Sequence, residues 1–595
     1  MWSLRAHLLC AVTCGALTAP GVSIAAAAFE DGPIATGTEV SGVTVEGSRT
    51  TRLGVAQSAN EGIVTLKQLE ARTVYRPGEL LEVTPGLIVS QHSGEGKANQ
   101  FYLRGFNLDH GTDLRTTIDG MIVNQRSHAH GQGWTDVNFL IPELSRQLTY
   151  RKGPYSAKEG DFASAGAVSV QYAYTLASGL VSLGVGENGY RRALVADSPE
   201  VGPGHLLYAL EVFHNDGPFV RGDNYSRLNG VLRYSQDVAG GQGNVTVMGY
   251  DASWNATDQI PLRAVRAGTL DRYGLIDATD GGRSHRYSLS GGWRRDLDDG
   301  SISMNAYVID QKLALYSNFT YFLDDPVNGD PFSQPDHRVT SGLNAERLWR
   351  HSLFGVPTET TVGLQLQNDN VFNALTKTAS RQTLSTARRD RVGEASAGLF
   401  VETATRWTDG LRTVAGVRLD SYRFDVRSDL PANSGQVNES IASPSVGFIF
   451  GPWAKTEYYL NAGTGFHSND ARGTTITIDP KSGSVADPVP ALVRSKGLEA
   501  GVRSEIIPGL QTSLSVYALD FDSELTFAGD AGTTEAGRPS RRTGIELSNY
   551  FRPTDWLTID ADVAYARARF QDLLPGLLRL VQPGPSPSRH RPDDA

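Results

Sequence analysis

From about residue 176 onward, apolar and polar side chains alternate with a period of two. In "SISMNAYVID" (301–310), Ile302, Met304, Ala306 and Val308 share one face, and Ser301, Ser303, Asn305 and Tyr307 the other. In "LTIDADVAYA" (557–566), Leu557, Ile559, Ala561, Val563 and Tyr565 oppose Thr558, Asp560 and Asp562. Such alternation sets the two groups on opposite faces of a strand. A soluble sandwich alternates too, so strand length and connections decide between them. The runs at 300–318, 336–351, 411–425, 491–506 and 510–525 exceed the usual strand of about 5–6 residues. They suit tilted strands crossing a bilayer, where about 9–11 residues span the apolar band.

The connections point the same way. Tight links at 296–300, 408–410, 450–455, 506–509 and 552–555 alternate with long ones near 255–282, 319–335, 371–392, 426–440 and 468–490. Short turns on one side and long loops on the other mark a barrel of the outer-membrane type. Tyr316, Tyr321, Tyr458, Tyr459, Tyr550 and Phe551 lie near strand ends, where interfacial aromatic girdles form. The pattern therefore predicts a transmembrane antiparallel β-barrel over 176–571.

Residues 56–175 follow a different grammar. "RPGELLEVTPG" (76–86) predicts a short helix entered through Pro77 and stopped before Pro85. "QFYLRGF" (100–106) and "LTYRKGP" (148–154) read as short strands, Asp119-Gly120 as a hairpin turn, and "DVNFLIPELS" (136–145) as passing through a helical turn. This is a compact mixed α/β domain ahead of the barrel.

Composition narrows the class. Of 595 residues, 65 are acidic and 55 basic, a balance that argues against a nucleic-acid partner. The one long apolar run lies at the start, with Arg5 before it, residues 8–19 as its core, and Ala25 to Ala28 as small residues for cleavage. It reads as a secretory signal over 1–28 rather than an anchor, since Pro20 interrupts it. Both cysteines, Cys10 and Cys14, fall inside it, so the mature chain would carry no disulfide and no cysteine metal site. No Ser/His/Asp spacing stands out, and an enzyme is not expected. No cofactor is expected either.

The domain of 56–175 carries a family resemblance. "NQFYLRGFNLDHGTDLRTTIDGMIVN" (99–124) and "LIPELSRQLTYRKGPYSAKEGDFASAGAVSV" (140–170) resemble the plug domain of TonB-dependent outer-membrane receptors. Arg104-Gly105-Phe106, the Asp119-Gly120 turn, Gly153-Pro154 and Gly166-Ala167-Val168 match that plug's landmarks, while Lys152 stands where an arginine is commoner. The resemblance covers about 40–570. It implies a 22-stranded barrel with a plugged lumen, residence as a monomer among outer-membrane lipids of a Gram-negative bacterium, and energised uptake of a scarce ligand. A ferric siderophore or other metal chelate is the first expectation, with haem, cobalamin and saccharides open. It further implies a periplasmic segment, here 29–55, that pairs with TonB as an added strand. Glu39, Val40, Ser41, Gly42, Val43, Thr44 and Val45 are the candidates. Some 25 residues before the plug are too few for an extra signalling domain, which favours transport.

Four of twelve histidines, His92, His110, His128 and His130, crowd into residues 92–130. In the resembled plug, the segments after "LRGF" and after the "DG" turn face the external mouth. On an extended segment His128 and His130 would share a side. With Asp109 and His110 they could bind zinc, copper or nickel, free or chelated. They could equally populate a hydrated, exposed loop. Arg104 in the plug and His467, Asp470 and Arg472 in "GTGFHSNDARGTT" (463–475) are further candidates for ligand contact.

Alternation stops after Phe570, and Pro575, Pro583, Pro585, Pro587 and Pro592 follow, which is hostile to strand pairing. About 17 strands are expected between 177 and 570, against the family's 22. The expectation is an incomplete barrel that cannot close, ending in an aberrant tail over 572–595. On this view the chain is a non-functional truncated fragment of such a receptor.

Overall fold

The computed structural model describes residues 52–571, except 92, 93 and 529–532. The expected signal, the TonB-pairing segment Glu39 to Val45 and the tail 572–595 lie outside the described residues. No helix among the described residues is long and apolar enough to cross a membrane.

The N-terminal domain is built on a five-stranded sheet in the order Glu61–Thr65, Ser145–Lys152, Gly166–Tyr172, Leu114–Ile118, Met121–Ile122. Its one parallel pairing joins Leu114–Ile118 to Gly166–Tyr172. In the strand Leu114–Ile118, Leu114, Thr116 and Ile118 are buried while Arg115 and Thr117 are not, as period-two alternation requires. Asp119 and Gly120 both take left-handed φ, 49° and 78°. That conformation matches the right-handed twist of the flanking strands in a two-residue hairpin. A second small sheet, Ile88–Ser90, Gln100–Leu103 and Phe106–Asn107, turns at Arg104-Gly105. The expected helix after Pro77 is a 3-10 helix, Pro77–Val83, and the turn near 142 is another, Pro142–Leu144.

Around this domain runs a large antiparallel sheet of eighteen strand segments, ordered as a closed barrel from Leu180–Val185 to Leu557–Phe570. Arg191–Asp197 and Glu200–Val201 are two halves of one strand, since both pair with Gly204–Asn215. Seventeen strands therefore make up the wall, the number read from the alternation. The ring closes in strand order, yet among the described residues no register joins Leu557–Phe570 to Leu180–Val185: the former pairs with Ser540–Thr554 and the latter with Arg191–Asp197. The expected failure of closure concerns that seam.

The runs picked out by periodicity coincide with Gly300–Ser317, Phe332–Leu353, Leu411–Ser428, Leu492–Ser504 and Leu510–Phe521. Burial is inverted relative to a soluble protein. Leu210, Val212, Leu228, Val247, Leu289, Val308, Leu399, Leu419, Phe448 and Leu460 are exposed, while Glu211, Asn229, Arg233, Asp336, Glu394 and Glu499 are buried. An outward apolar band over a polar lumen is what a membrane-spanning barrel needs.

Two expectations need correction. The long loop near 371–392 is a hairpin of two extended strands, Val356–Ala379 and Gln382–Thr408. Ser380 and Arg381 turn it with left-handed φ of 49° and 63°. The aromatic girdle also differs: Tyr459 and Tyr550 are buried, whereas Trp349, Phe354, Trp407, Trp453, Tyr458 and Trp556 are exposed near the short-turn end. Tyr458 and Tyr459 are neighbours on one strand, so only one of them can face outward.

Candidate functional site

The segment after Met121–Ile122 leaves the plug sheet and returns through a bridge between Gln125 and Trp134. Asn124 anchors its start: the side chain accepts from the Thr116 amide (2.7 Å) and donates to the carbonyls of Gly111 (3.0 Å) and Leu114 (2.9 Å). Gly133 closes it with a φ of +72°, where a Cβ would sit 2.8 Å from the Thr112 backbone nitrogen. Only glycine tolerates that approach.

Within this loop the three candidate imidazoles surround Trp134. His128 stacks on it with centroids 4.6 Å apart, His110 lies at 4.6 Å and His130 at 5.2 Å edge-on. His110 and His128 are buried and His130 half-buried. The expected exposed, hydrated loop is thus a packed core. Burial pushes all three imidazoles below their usual range, most strongly His128 and His130. For His128 the Arg338 and Arg472 guanidiniums add to this, and for His130 the Lys97 ammonium does. All three are neutral at pH 7.

Their Nδ1 atoms take separate partners. His110 Nδ1 lies 3.1 Å from the carbonyls of Ala98 and Asn99. His128 Nδ1 accepts from the amides of His130 (3.1 Å) and Gly131 (3.4 Å). His130 Nδ1 meets Gln334 Oε1 at 2.7 Å. No three His, Cys, Asp or Glu among the described residues are placed to hold a metal ion. His110, His128 and His130, expected as a ligand set, do not form such a group here; their rings are oriented by backbone groups, by Gln334 and by Trp134.

Four other candidates fasten the plug to the wall. Arg104 pairs with Glu499 (2.5 Å) and Glu546 (3.0 Å), with both partners buried. His467 Nδ1 lies 3.0 Å from an Asp113 carboxylate oxygen. Asp470 accepts from the His128 amide (3.2 Å) and pairs with Arg472 (2.6 Å), which donates to the His128 carbonyl (2.8 Å). Asp109 instead keeps a half-exposed side chain and lines an open cleft with Phe106, Thr112, Gln132, His467 and Phe521.

Sequence reasoning passed over the partners that complete this junction. Arg126 donates to Ser396 (2.7 Å) and Tyr422 (3.3 Å). Asp161 accepts from the Ser468 amide (2.7 Å) and hydroxyl (2.6 Å). Asp336 accepts from the Ala129 amide (3.2 Å), and Glu394 from that of Ser127 (3.3 Å). The usable signal for the last two was parity: a carboxylate at an inward position of a barrel strand faces the lumen.

The plug within a polar-lined barrel defines a class, and the comparisons agree. Residues 51–167 match the TonB-dependent receptor plug domain, and 214–583 the TonB-dependent receptor-like β-barrel. The chain belongs to the TonB-dependent receptors, whose barrels reside in the outer membrane of Gram-negative bacteria and which are transporters and receptors. Among solved structures it is similar to the copper transporter OprC, with 16% identity over 87% of this chain and 80% of that one, TM-score 0.67. It is similar to the unliganded ferric citrate transporter FecA, with 14% identity, 87% and 79% coverage, and TM-score 0.70. A third is the FrpB iron transporter from Neisseria meningitidis, with 16% identity, 86% and 81% coverage, and TM-score 0.64.

Proposed function

We propose that this receptor carries out TonB-dependent active transport of a scarce ligand, a ferric siderophore or another metal chelate, across the outer membrane. The observation behind this reading is the plug's fastening. Arg126 to Gln132 are held against the wall by Ser396, Glu394, Asp336, Asp470 and Ser468, so the lumen is obstructed by folded protein. A lumen blocked in this way passes a bulky solute only when the plug is displaced, and displacement needs work from outside. TonB would deliver it by pairing with Glu39 to Val45. The similar proteins are transporters of ferric citrate, iron and copper.

A chelate is favoured over a bare ion because no three His, Cys, Asp or Glu among the described residues are grouped to hold a metal ion. The second reading is free or chelated zinc, copper or nickel on His110, His128 and His130. Its support is that all three rings are neutral and therefore able to ligate, but they would have to turn.

The test is uptake by intact cells of a panel of radiolabelled ferric chelates, starting with ferric citrate, with and without a proton uncoupler. Intrinsic-fluorescence quenching of the purified receptor is followed in parallel. Saturable, uncoupler-sensitive uptake is expected. Quenching by zinc, copper or nickel salts with no response to any ferric chelate would favour the second reading.

A further inference from the structure

The plug does not meet the barrel wall uniformly. Its hydrophobic core continues without a break into one sector of the wall. One buried cluster joins plug residues such as Leu140, Ile141 and Val170 to Leu207, Met248, Trp254, Ile309 and Leu315 of the strands between Arg191 and Ser317, and reaches Tyr517, Leu519 and Phe521 of Leu510–Phe521. The opposite sector, from Phe332 to Ser504, has an apolar cluster of its own that includes Val371, Phe424 and Phe466 and no plug residue. Of the buried apolar clusters among the described residues, the one that brings the plug's chain to this sector is small: Ala56 and Ala59 with Val414, Ile449 and Tyr459.

What joins the plug to this second sector is polar. Besides the contacts of Arg126 to Gln132, Glu402 accepts from the Ser156 hydroxyl and the Ala157 amide, each at 2.9 Å. Lys158 pairs with Glu346 at 2.8 Å, and Ser495 donates to Ser164 at 2.8 Å. Polar contacts occur on the first sector as well, Arg192 with Glu143 among them, but there they flank a continuous apolar seam.

The two junctions answer water differently. Parting apolar faces exposes area at a cost proportional to that area. Parting hydrogen bonds and buried ion pairs exchanges them for bonds to water and returns the charges to solvent, at small net cost. We propose that the permeation path opens between the plug and the strands from Phe332 to Ser504, along residues 126–132 and 156–164. The plug meanwhile stays docked on the strands from Arg191 to Ser317. A path with these walls takes a hydrophilic solute rich in hydrogen-bonding oxygens. The inference rests on the reading that ligand passes through this barrel, but its test needs neither ligand nor TonB.

Cysteine pairs are introduced into the full chain with Cys10→Ser and Cys14→Ser. Ala157→Cys with Gly416→Cys ties the polar junction, where a Cβ at 416 would lie 2.8 Å from that of Ala157. Gly120→Cys with Asn305→Cys ties the apolar side, at 3.5 Å. Potassium chloride conductance across a planar bilayer is recorded as urea loosens the plug. The oxidised 157–416 pair should lose most of the urea-induced conductance and regain it on reduction, while the oxidised 120–305 pair conducts like the parent. Recovery on reduction separates a cross-link effect from misfolding. Blocking by the 120–305 pair, or conduction by the oxidised 157–416 pair, overturns the assignment. Hydrogen exchange gives an independent check: amides of 127–129 should exchange roughly tenfold faster than those of 140–144, and equal rates count against it.

Discussion

His128 lies flat against Trp134, with ring centroids 4.6 Å apart and planes within 16°, inside a loop that the wall grips through Asp336 and Asp470. An imidazole in that position is a packing element first. His128→Ala with His130→Ala should weaken ligand binding, and should also loosen the plug by about 2–4 kcal/mol, the usual cost of emptying a buried site. Hydrogen exchange over residues 124–135 measures the second effect separately from affinity. Unchanged protection there would restore the picture of a solvated loop.

Arg104→Ala leaves Glu499 facing Glu546 in a buried junction where Lys152, 3.1 Å from Glu546, is the remaining cation. Removing one partner of a buried ion pair costs about 3–5 kcal/mol. The plug should become protease-sensitive in detergent while the barrel keeps its heat-modifiable gel mobility. Adding Glu499→Gln should return part of the loss.

Acid should loosen the plug. His110, His128 and His130 are all held below the ordinary imidazole value by burial. An unfolded imidazole takes its proton near pH 6.5, whereas these take theirs only at lower pH. The unfolded state therefore binds more protons as pH falls through 6.5. Stability present above that value is lost below it, at about 1.4 kcal/mol per pH unit per imidazole. Asp136 works oppositely: burial raises its carboxyl to about 6, so its contribution is present below the unfolded value near 4 and lost as pH rises through 6. Plug unfolding followed at pH 7.5, 6.5 and 5.5 should show the histidine slope, and His128→Gln should flatten it.

Val43→Pro tests the coupling segment. Proline removes a backbone donor that an added strand needs, so energised uptake should vanish while surface binding of ligand persists. Transport at the parental rate would move the coupling segment away from Glu39 to Val45.

The barrel was legible because each lipid-facing strand repeats the same decision. Ile302, Met304 and Val308 must face hydrocarbon, and a period of two records it in the sequence. What alternation misses is any turn made without glycine or asparagine. Ser380 and Arg381 give no local cue, so two long strands read as a loop. Burial of the histidines was hidden for another reason. Their cover comes from Asp336 and Asp470, more than 200 residues away in the chain, and from a tryptophan four to six residues on from His130 and His128. Local polarity near 126–136 therefore described an exposed loop, while the fold had supplied the walls. Arg104, Asp470 and Arg472 stood out as charged residues near a pore, and their geometry gives those charges to each other and to the plug's backbone.

The hairpin Val356–Thr408 has strands of 24 and 27 residues. At about 3.3 Å per residue the longer one measures on the order of 90 Å, or roughly 60 Å of height at a 45° tilt, against an apolar band about 25 Å tall. Its tip at Ser380-Arg381 stands on the long-loop side, where Arg381 donates to the carbonyls of Thr279 (2.6 Å) and Asp280 (3.0 Å) while Ser380 is exposed. An epitope inserted there would be met first by an antibody or a phage tail approaching an intact cell.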